Sequence, residues 1–335
     1  MSQLSPQKPP ILPSRSQPIK FTQRPLAWLY ALWKFSRPHT IIGTSLSVLA
    51  LYLITWTGVS PLASGRGSWA DLFLNAPAIL PPLIACLCGN VYIVGLNQLE
   101  DVEIDRINKP HLPLASGEFS RLQGWSIVGI MGGLALALSA LQSQALMATV
   151  WISLLIGTAY SLPPVRLKRF PVWASLCIFS VRGAIVNLGL FFHFRETLAT
   201  GEAGGGILPS VWALTVFIIV FTFAIAIFKD IPDLEGDRRY QISTFTVRLG
   251  PKAVFNLARW VLTACYLGMI LAGALIPGIN TPFLVITHGA ALLILWRLSF
   301  KVNLDSKPSI AQFYQFIWKL FFLEYLLFSI ACLLG

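Results

Sequence analysis

Acid is scarce in this chain. Its 335 residues hold 14 Asp and Glu against 25 Lys and Arg, a net charge of +11. The five cysteines (Cys86, Cys88, Cys177, Cys265 and Cys332) all fall in apolar runs and lack metal-ligand spacing. They read as packing residues, with no disulfide framework. His39, His111, His193 and His288 are scattered and likewise show no ligand spacing. A glycine-rich nucleotide loop and the twelve-residue calcium loop are both missing. Basic residues are not interleaved with stacking aromatics in a soluble segment, so the positive balance excludes a nucleic-acid reading. The first 25 residues lack the apolar stretch of a secretory signal. They are basic and acid-free, as transit peptides are, but short and rich in proline.

What fills the chain instead is apolar sequence. It is 55% hydrophobic, with mean hydropathy +0.69, far above a soluble domain. Runs long enough to cross a bilayer lie at 40–57, 78–98, 122–142, 145–162, 172–194, 210–228, 253–276, 282–300 and 313–334. The predicted fold is an all-α integral membrane protein of nine spans. The least distinct break is the third, around Gln142-Ser-Gln144. Residues 1–25 read as a disordered cytoplasmic segment and 26–335 as one transmembrane domain. Leu26 to Phe35, with its Trp and Tyr, reads as an interfacial helix.

Positive charge sets the orientation. With the N-terminus in the cytoplasm, most Lys and Arg fall on inside segments, and the outside loops keep only Arg66 and Arg195. Nine spans then put the C-terminus on the opposite side. The net charge reflects topology and attraction to anionic lipid.

Against this background the acids are concentrated. Glu100, Asp101, Glu103 and Asp105 form one cluster, and Asp230, Asp233, Glu235 and Asp237 the other, so two short stretches hold more than half of the 14. Each contains two aspartates four apart, on one face of a helix. The clusters follow spans two and six, and each is followed by basic residues, Arg106 and Lys109 or Arg238 and Arg239. This weak repeat describes two four-helix halves plus a ninth helix. Repeated halves meeting at a site occur in enzymes and transporters alike.

Carboxylates this close repel unless a cation neutralises them. Oxygen-only ligands favour Mg²⁺ or Ca²⁺ over zinc, and Mg²⁺ completes its shell with phosphate and water. Asn97, Asp101 and Asp105 offer one ligand set; Asp230, Asp233 and Asp237 offer the other. Lys109, Lys229, Arg166, Lys168 and Arg169 are placed to hold the charge of a diphosphate. Arg106 joins them from the first loop, and Arg37 is either a topological anchor or a further contact. A lipid diphosphate fits a site at the end of a membrane bundle.

Asn97-Gln-x-x-Asp101-x-x-x-Asp105 and Lys229-Asp230-x-x-Asp233-x-x-x-Asp237 resemble the two aspartate-rich motifs of the UbiA superfamily of intramembrane prenyltransferases. The likeness covers roughly residues 33–335. Ser36-Arg-Pro-His-Thr40, Gly95-Leu-Asn-Gln-Leu, Asn108-Lys-Pro and Leu112-Pro-Leu-Ala-Ser-Gly117 resemble that superfamily's homogentisate prenyltransferase branch in plants and cyanobacteria. Gln98 departs from the Asp found in many members. The resemblance implies Mg²⁺-dependent ionisation of a prenyl diphosphate, phytyl or geranylgeranyl, and attack by the ring of homogentisate with loss of CO₂ and diphosphate, a step of tocopherol synthesis. It also implies a diphosphate contact at Tyr160 and a thylakoid or bacterial plasma membrane. The short N-terminus fits a cyanobacterial protein better than a plastid-targeted one. Related acceptors such as chlorophyllide or a quinone precursor are the near alternative. A cation-coupled transporter is remote, because the acids lie at one membrane face and not at the midplane.

Arg182 lies within the fifth span, where a charge costs about 2.5–3.5 kcal/mol on insertion scales. It is expected to face the cavity and bind the acceptor's carboxylate, with Asn187 a weaker acceptor-binding candidate or a helix contact. Lys319 and Glu324, in the last span, read as snorkelling or capping residues.

Overall fold

The computed structural model describes residues 18–59, 69–198, 206–239 and 243–335, which are helical and, among these residues, without strand. The expectation of disorder over 1–25 lies mostly outside the described residues. An interfacial helix α1 (Pro25–Phe35) leads into α2 (Pro38–Val59). A broken second span follows: α3 (Trp69–Asn75), a 3₁₀ turn at Ala76–Ile79 and α4 (Leu80–Glu100). Two short helices, α5 (Val102–Asn108) and α6 (Pro113–Ser116), carry the chain to α7 (Arg121–Ala140) and α8 (Gln144–Ser161). The second half runs α9 (Pro171–Phe179), a π-helical turn (Ser180–Ile185), α10 (Val186–Leu198), α11 (Pro209–Phe228) and α12 (Asp230–Arg239). It closes with α13 (Phe245–Leu249), α14 (Pro251–Leu275), α15 (Thr281–Ser299) and α16 (Lys307–Leu333).

Local chemistry fixes these boundaries. Proline stands at the first or second position of α1, α9, α11, α14, α15 and α16, where its missing N–H costs nothing. The indistinct break between spans three and four is a cap. Ser143 accepts from the Leu146 N–H to start α8, and a Ser120–Gln123 capping box starts α7. The last span begins six residues earlier than hydropathy indicates, because Ser306 caps α16 at its polar first turn.

Nine helical stretches among the described residues are long and apolar enough to cross a membrane. They pack in a ring: α4 lies on α7 and α8, α8 on α10, α11 on the π-turn and α14, α14 on α15, and α15 on α16. α16 then returns to α2, closing the ring on its starting helix. α11 is the most enclosed span, with Val211, Leu214, Ile218 and Phe221 buried toward its neighbours. A smaller apolar cluster, built on Ala31, Phe35, Leu96 and Phe119, fixes α1 to α4 and α7.

One polar feature of the membrane region departs from the sequence reading. Glu324 of α16 accepts from or donates to His288 Nε2 of α15 at 3.0 Å, both side chains wholly buried. It is thus an interhelical partner and not a snorkelling group. Lys319, by contrast, is exposed on the outside of the bundle.

Candidate active site

Both acid helices lie at one end of the ring and touch each other. Gly236 lets them meet: a Cβ there would strike the Asn108 side chain at the end of α5. α12 therefore packs directly on α5, and the two aspartate pairs face one mouth.

Around that mouth the cations reach the acids from other elements. Asp101 receives Lys168 at 2.7 Å and Arg166 at 3.3 Å, both from the segment after α8. Asn97 donates to the second oxygen of Asp101 at 3.1 Å. Arg37 donates to the Asn97 side-chain Oδ1 at 3.5 Å and lies 4.0 Å from Asp105. Lys109, from the first motif's loop, crosses to Asp233 at 2.6 Å.

Arg37 and Arg166 share another property. They are the only non-glycine residues described with positive φ, at 53° and 40°, a conformation that costs an L-residue about 1–2 kcal/mol. Such outliers collect at functional sites. Arg37 is held there by Thr40, whose hydroxyl donates to the Arg37 carbonyl at 2.8 Å. Gln98 explains its own departure from the motif. It is buried and donates to the Phe35 carbonyl at 2.7 Å, so it ties α4 to the turn that presents Arg37 and does not join the acids.

Burial sets the protonation of the acids. Asp105 is pushed up to about 6 by burial, partly opposed by Arg37 and Lys109. Asp230 rises to about 6 and Asp237 to about 7, again by burial first and by neighbouring aspartates next. Lys229 is held above the ordinary lysine range by Tyr160, then by Asp230 and Asp233, against its burial. Such carboxyls suit a divalent cation. One buried oxygen of Asp105 makes no hydrogen bond, and the donor set is all oxygen. Among the described residues no three His, Cys, Asp or Glu side chains converge on a point. That suits Mg²⁺, which takes one or two carboxylates and fills its shell with phosphate and water.

Behind the mouth a cavity of about 290 Å³ enters the bundle. Arg37, Asn97, Tyr160 and Lys229 line its entrance, and Gly89, Thr149 and Leu154 of α4 and α8 line one wall. Arg182, Trp318, Phe321 and Tyr325 line the other.

A model of the UbiA prenyltransferase family matches residues 48–320. The chain belongs to this family. It is 54% identical over 308 residues to a homogentisate phytyltransferase of Synechocystis sp., covering 91% of this chain and 96% of that one. It is 42% identical to homogentisate phytyltransferase 1 of Arabidopsis thaliana, over 89% of this chain and 74% of that one. Among solved structures, a UbiA homolog from Archaeoglobus fulgidus bound to GPP and Mg²⁺ superposes with TM-score 0.59 at 17% identity, covering 91% of this chain and all of that one. That likeness shows the shared UbiA fold.

Within the UbiA frame, most of the residues singled out from sequence meet at the mouth, and a few do not. Arg106 pairs with Glu103 on its own helix at 2.6 Å and does not line the cavity. Arg169 is exposed. Asn187 is wholly buried behind the wall, accepting from the Tyr325 hydroxyl at 3.3 Å; it supports a lining residue and is not one. Among the histidines, His111 is exposed, and His39 reaches the cavity.

Sequence reasoning passed over several lining residues. Asn90 sits two helical turns before Asn97 on one face of α4 and donates to the Thr40 hydroxyl at 2.9 Å. Tyr314, Trp318, Phe321 and Tyr325 form one face of α16 at helical spacing. Both stripes are visible as 3.6-residue periodicities, but an aromatic stripe in a span looks the same whether it meets a cavity or another helix.

Proposed function

We propose that this enzyme transfers a phytyl group from its diphosphate to the ring of homogentisate, releasing diphosphate and CO₂, with Mg²⁺ as cofactor. The supporting observation is the mouth itself: two aspartate pairs face each other across Arg37, Lys109, Arg166, Lys168 and Lys229, above an apolar cavity. The homogentisate phytyltransferases among its relatives supply the donor and acceptor.

Each residue has a definable task. Asp101, Asp105, Asp233 and Asp237, with Asn97 and Asp230, would supply the oxygens from which Mg²⁺ takes one or two carboxylates. Bound there, Mg²⁺ supplies positive charge where negative charge builds on the departing diphosphate. Arg37, Lys109, Arg166, Lys168, Lys229 and Tyr160 bind the diphosphate oxygens from the rim, which aligns the allylic C–O bond with the cavity. Because Lys109, Arg166 and Lys168 pair with the same aspartates, binding exchanges protein ion pairs for contacts to metal and phosphate. As the C–O bond breaks, ring faces along the cavity stabilise the allylic cation and the bundle keeps water from it. The excess of basic residues at this end supports a cytoplasmic position for the mouth.

The test uses the purified chain in nanodiscs with Mg²⁺, labelled homogentisate, and phytyl, geranylgeranyl or solanesyl diphosphate. A labelled prenyl-quinol is expected with phytyl diphosphate in preference to the others. No labelled product with any donor would refute homogentisate as acceptor.

A further inference from the structure

Arg182 is a charge placed in the middle of a span, Val172–Leu198, and it lines the cavity. It stands on the π-helical turn, a distortion that recurs at functional positions. The turn is pressed against α11, since a Cβ at Gly183 would meet the Ile219 backbone. A guanidinium there ordinarily pairs with an acid. Among the described residues none lies within ion-pair distance of it. Glu324, in the last span, is taken by His288.

Its partners are ring faces. The guanidinium carbon sits 5.0 Å from the Trp318 ring and 5.7 Å from the Phe321 ring. Stacking of this kind uses the flat face of the guanidinium and leaves its N–H edge free. That edge is a planar fork that matches a carboxylate. On the same tryptophan sits His39, its ring 4.7 Å from that of Trp318. His39 follows Arg37 by two residues, so Trp318 links the mouth to the mid-span cation. A prenyl tail has no use for a charge there, and the diphosphate already has five basic residues at the rim.

We infer that Arg182, backed by Trp318 and Phe321, anchors the carboxylate of the aromatic acceptor, with the acceptor ring lying toward His39 and the mouth. The inference rests on reading the chain as an aromatic prenyltransferase, and it makes Arg182 the residue that selects acid acceptors over neutral ones. It predicts that the acceptor enters acid end first, leaving its ring facing the allylic carbon.

The experiment compares the binding of homogentisate and of its methyl ester in the wild type, Arg182→Gln and Arg182→Lys. The ester cannot lose CO₂ and serves as a neutral binding probe. Losing a charge-assisted pair should raise Kd for homogentisate about 10- to 100-fold in Arg182→Gln, with Kd for the ester and KM for the donor unchanged. Arg182→Lys, which keeps the charge without the fork, should fall between. A variant series that keeps the wild-type preference for acid over ester overturns the inference. So does an equal loss for both ligands. Calorimetric binding of homogentisate, measured without donor, separates this from the functional reading. Arg182-dependent binding in a wild type that transfers nothing upholds the anchor and refutes the activity. Transfer undiminished in Arg182→Gln does the reverse.

Discussion

The two acid helices are built alike and compensated unequally. In α5, Asp101 is held by Arg166, Lys168 and Asn97, and Asp105 lies near Arg37. In α12 the aspartate that faces a cation is Asp233, and that cation, Lys109, comes from the other half. Among the described residues no ion pair reaches Asp230 or Asp237, and burial lifts them to about 6 and about 7. The halves repeat in helices but not in charge. In ion pairs the first half brings its own cations, whereas Asp233 takes its partner from the first half.

The largest expected effect treats both helices the same. Asp101→Ala and Asp233→Ala should each lower turnover by about 10³-fold or more, since each removes charge that positions metal and diphosphate. Prenyl transfer at saturating donor and Mg²⁺ measures it. Residual activity within tenfold of wild type in either variant would remove that aspartate from the machinery.

Acidity, which both helices share, gives the next effect. Asp105, Asp230 and Asp237 hold their protons to about pH 6–7 in the fold, while an unfolded aspartate loses its own near 4. Between those values the native state binds more protons, so stability falls as pH rises. Without Mg²⁺ the melting temperature should therefore drop from pH 5 to pH 8. Mg²⁺ binding requires the ionised form, so its stabilising effect should be greatest at pH 8 and smallest at pH 5. Scanning fluorimetry across that range, with and without Mg²⁺, gives both slopes. A metal-free Tm that climbs over this range would contradict the burial argument.

The comparison is sharpest in one pair of variants. Asp237→Asn removes a buried charge that no cation meets and should raise the metal-free Tm at pH 8 by a few degrees. Asp101→Asn strands Lys168 and Arg166 and should lower it. Shifts of the same sign would mean that compensation does not differ between the helices.

How much of this was legible in the sequence depends on the kind of feature. The nine spans follow from apolar length, and the acid helices from their contrast with that background. Gln98 was legible as a departure from the motif, but its partner, a backbone carbonyl 63 residues away, was not. The π-turn under Arg182 leaves no composition signal, and the face of α16 that meets the cavity is set by ring closure on α2. Arg166 was legible as a candidate diphosphate contact and Arg37 as either an anchor or a contact, but the positive φ that both adopt leaves no trace in the sequence.

Those angles give a smaller test. At φ 40° Arg166 bears a strain that glycine does not. Arg166→Gly and Arg166→Ala remove the same contact to Asp101, so their difference isolates the backbone. The glycine variant should be more stable by about 1 kcal/mol, read as a higher Tm. Equal stability would show that the segment relaxes once the side chain is gone.

The smallest effect belongs to Arg106, in α5 three residues before Lys109 at the helix end. Lys109 spans from one acid helix to the other, while Arg106 closes on exposed Glu103 within its own turn. A surface pair of that spacing contributes a few tenths of a kcal/mol. Arg106→Gln should therefore leave kcat and the donor KM within about twofold of wild type, a change in line with that energy. Lys109→Gln should raise the donor KM about tenfold, as expected for a charge-assisted contact. If the two variants behave alike, the bridge between the halves is not what binds the diphosphate, and both residues act through the general positive field of the mouth.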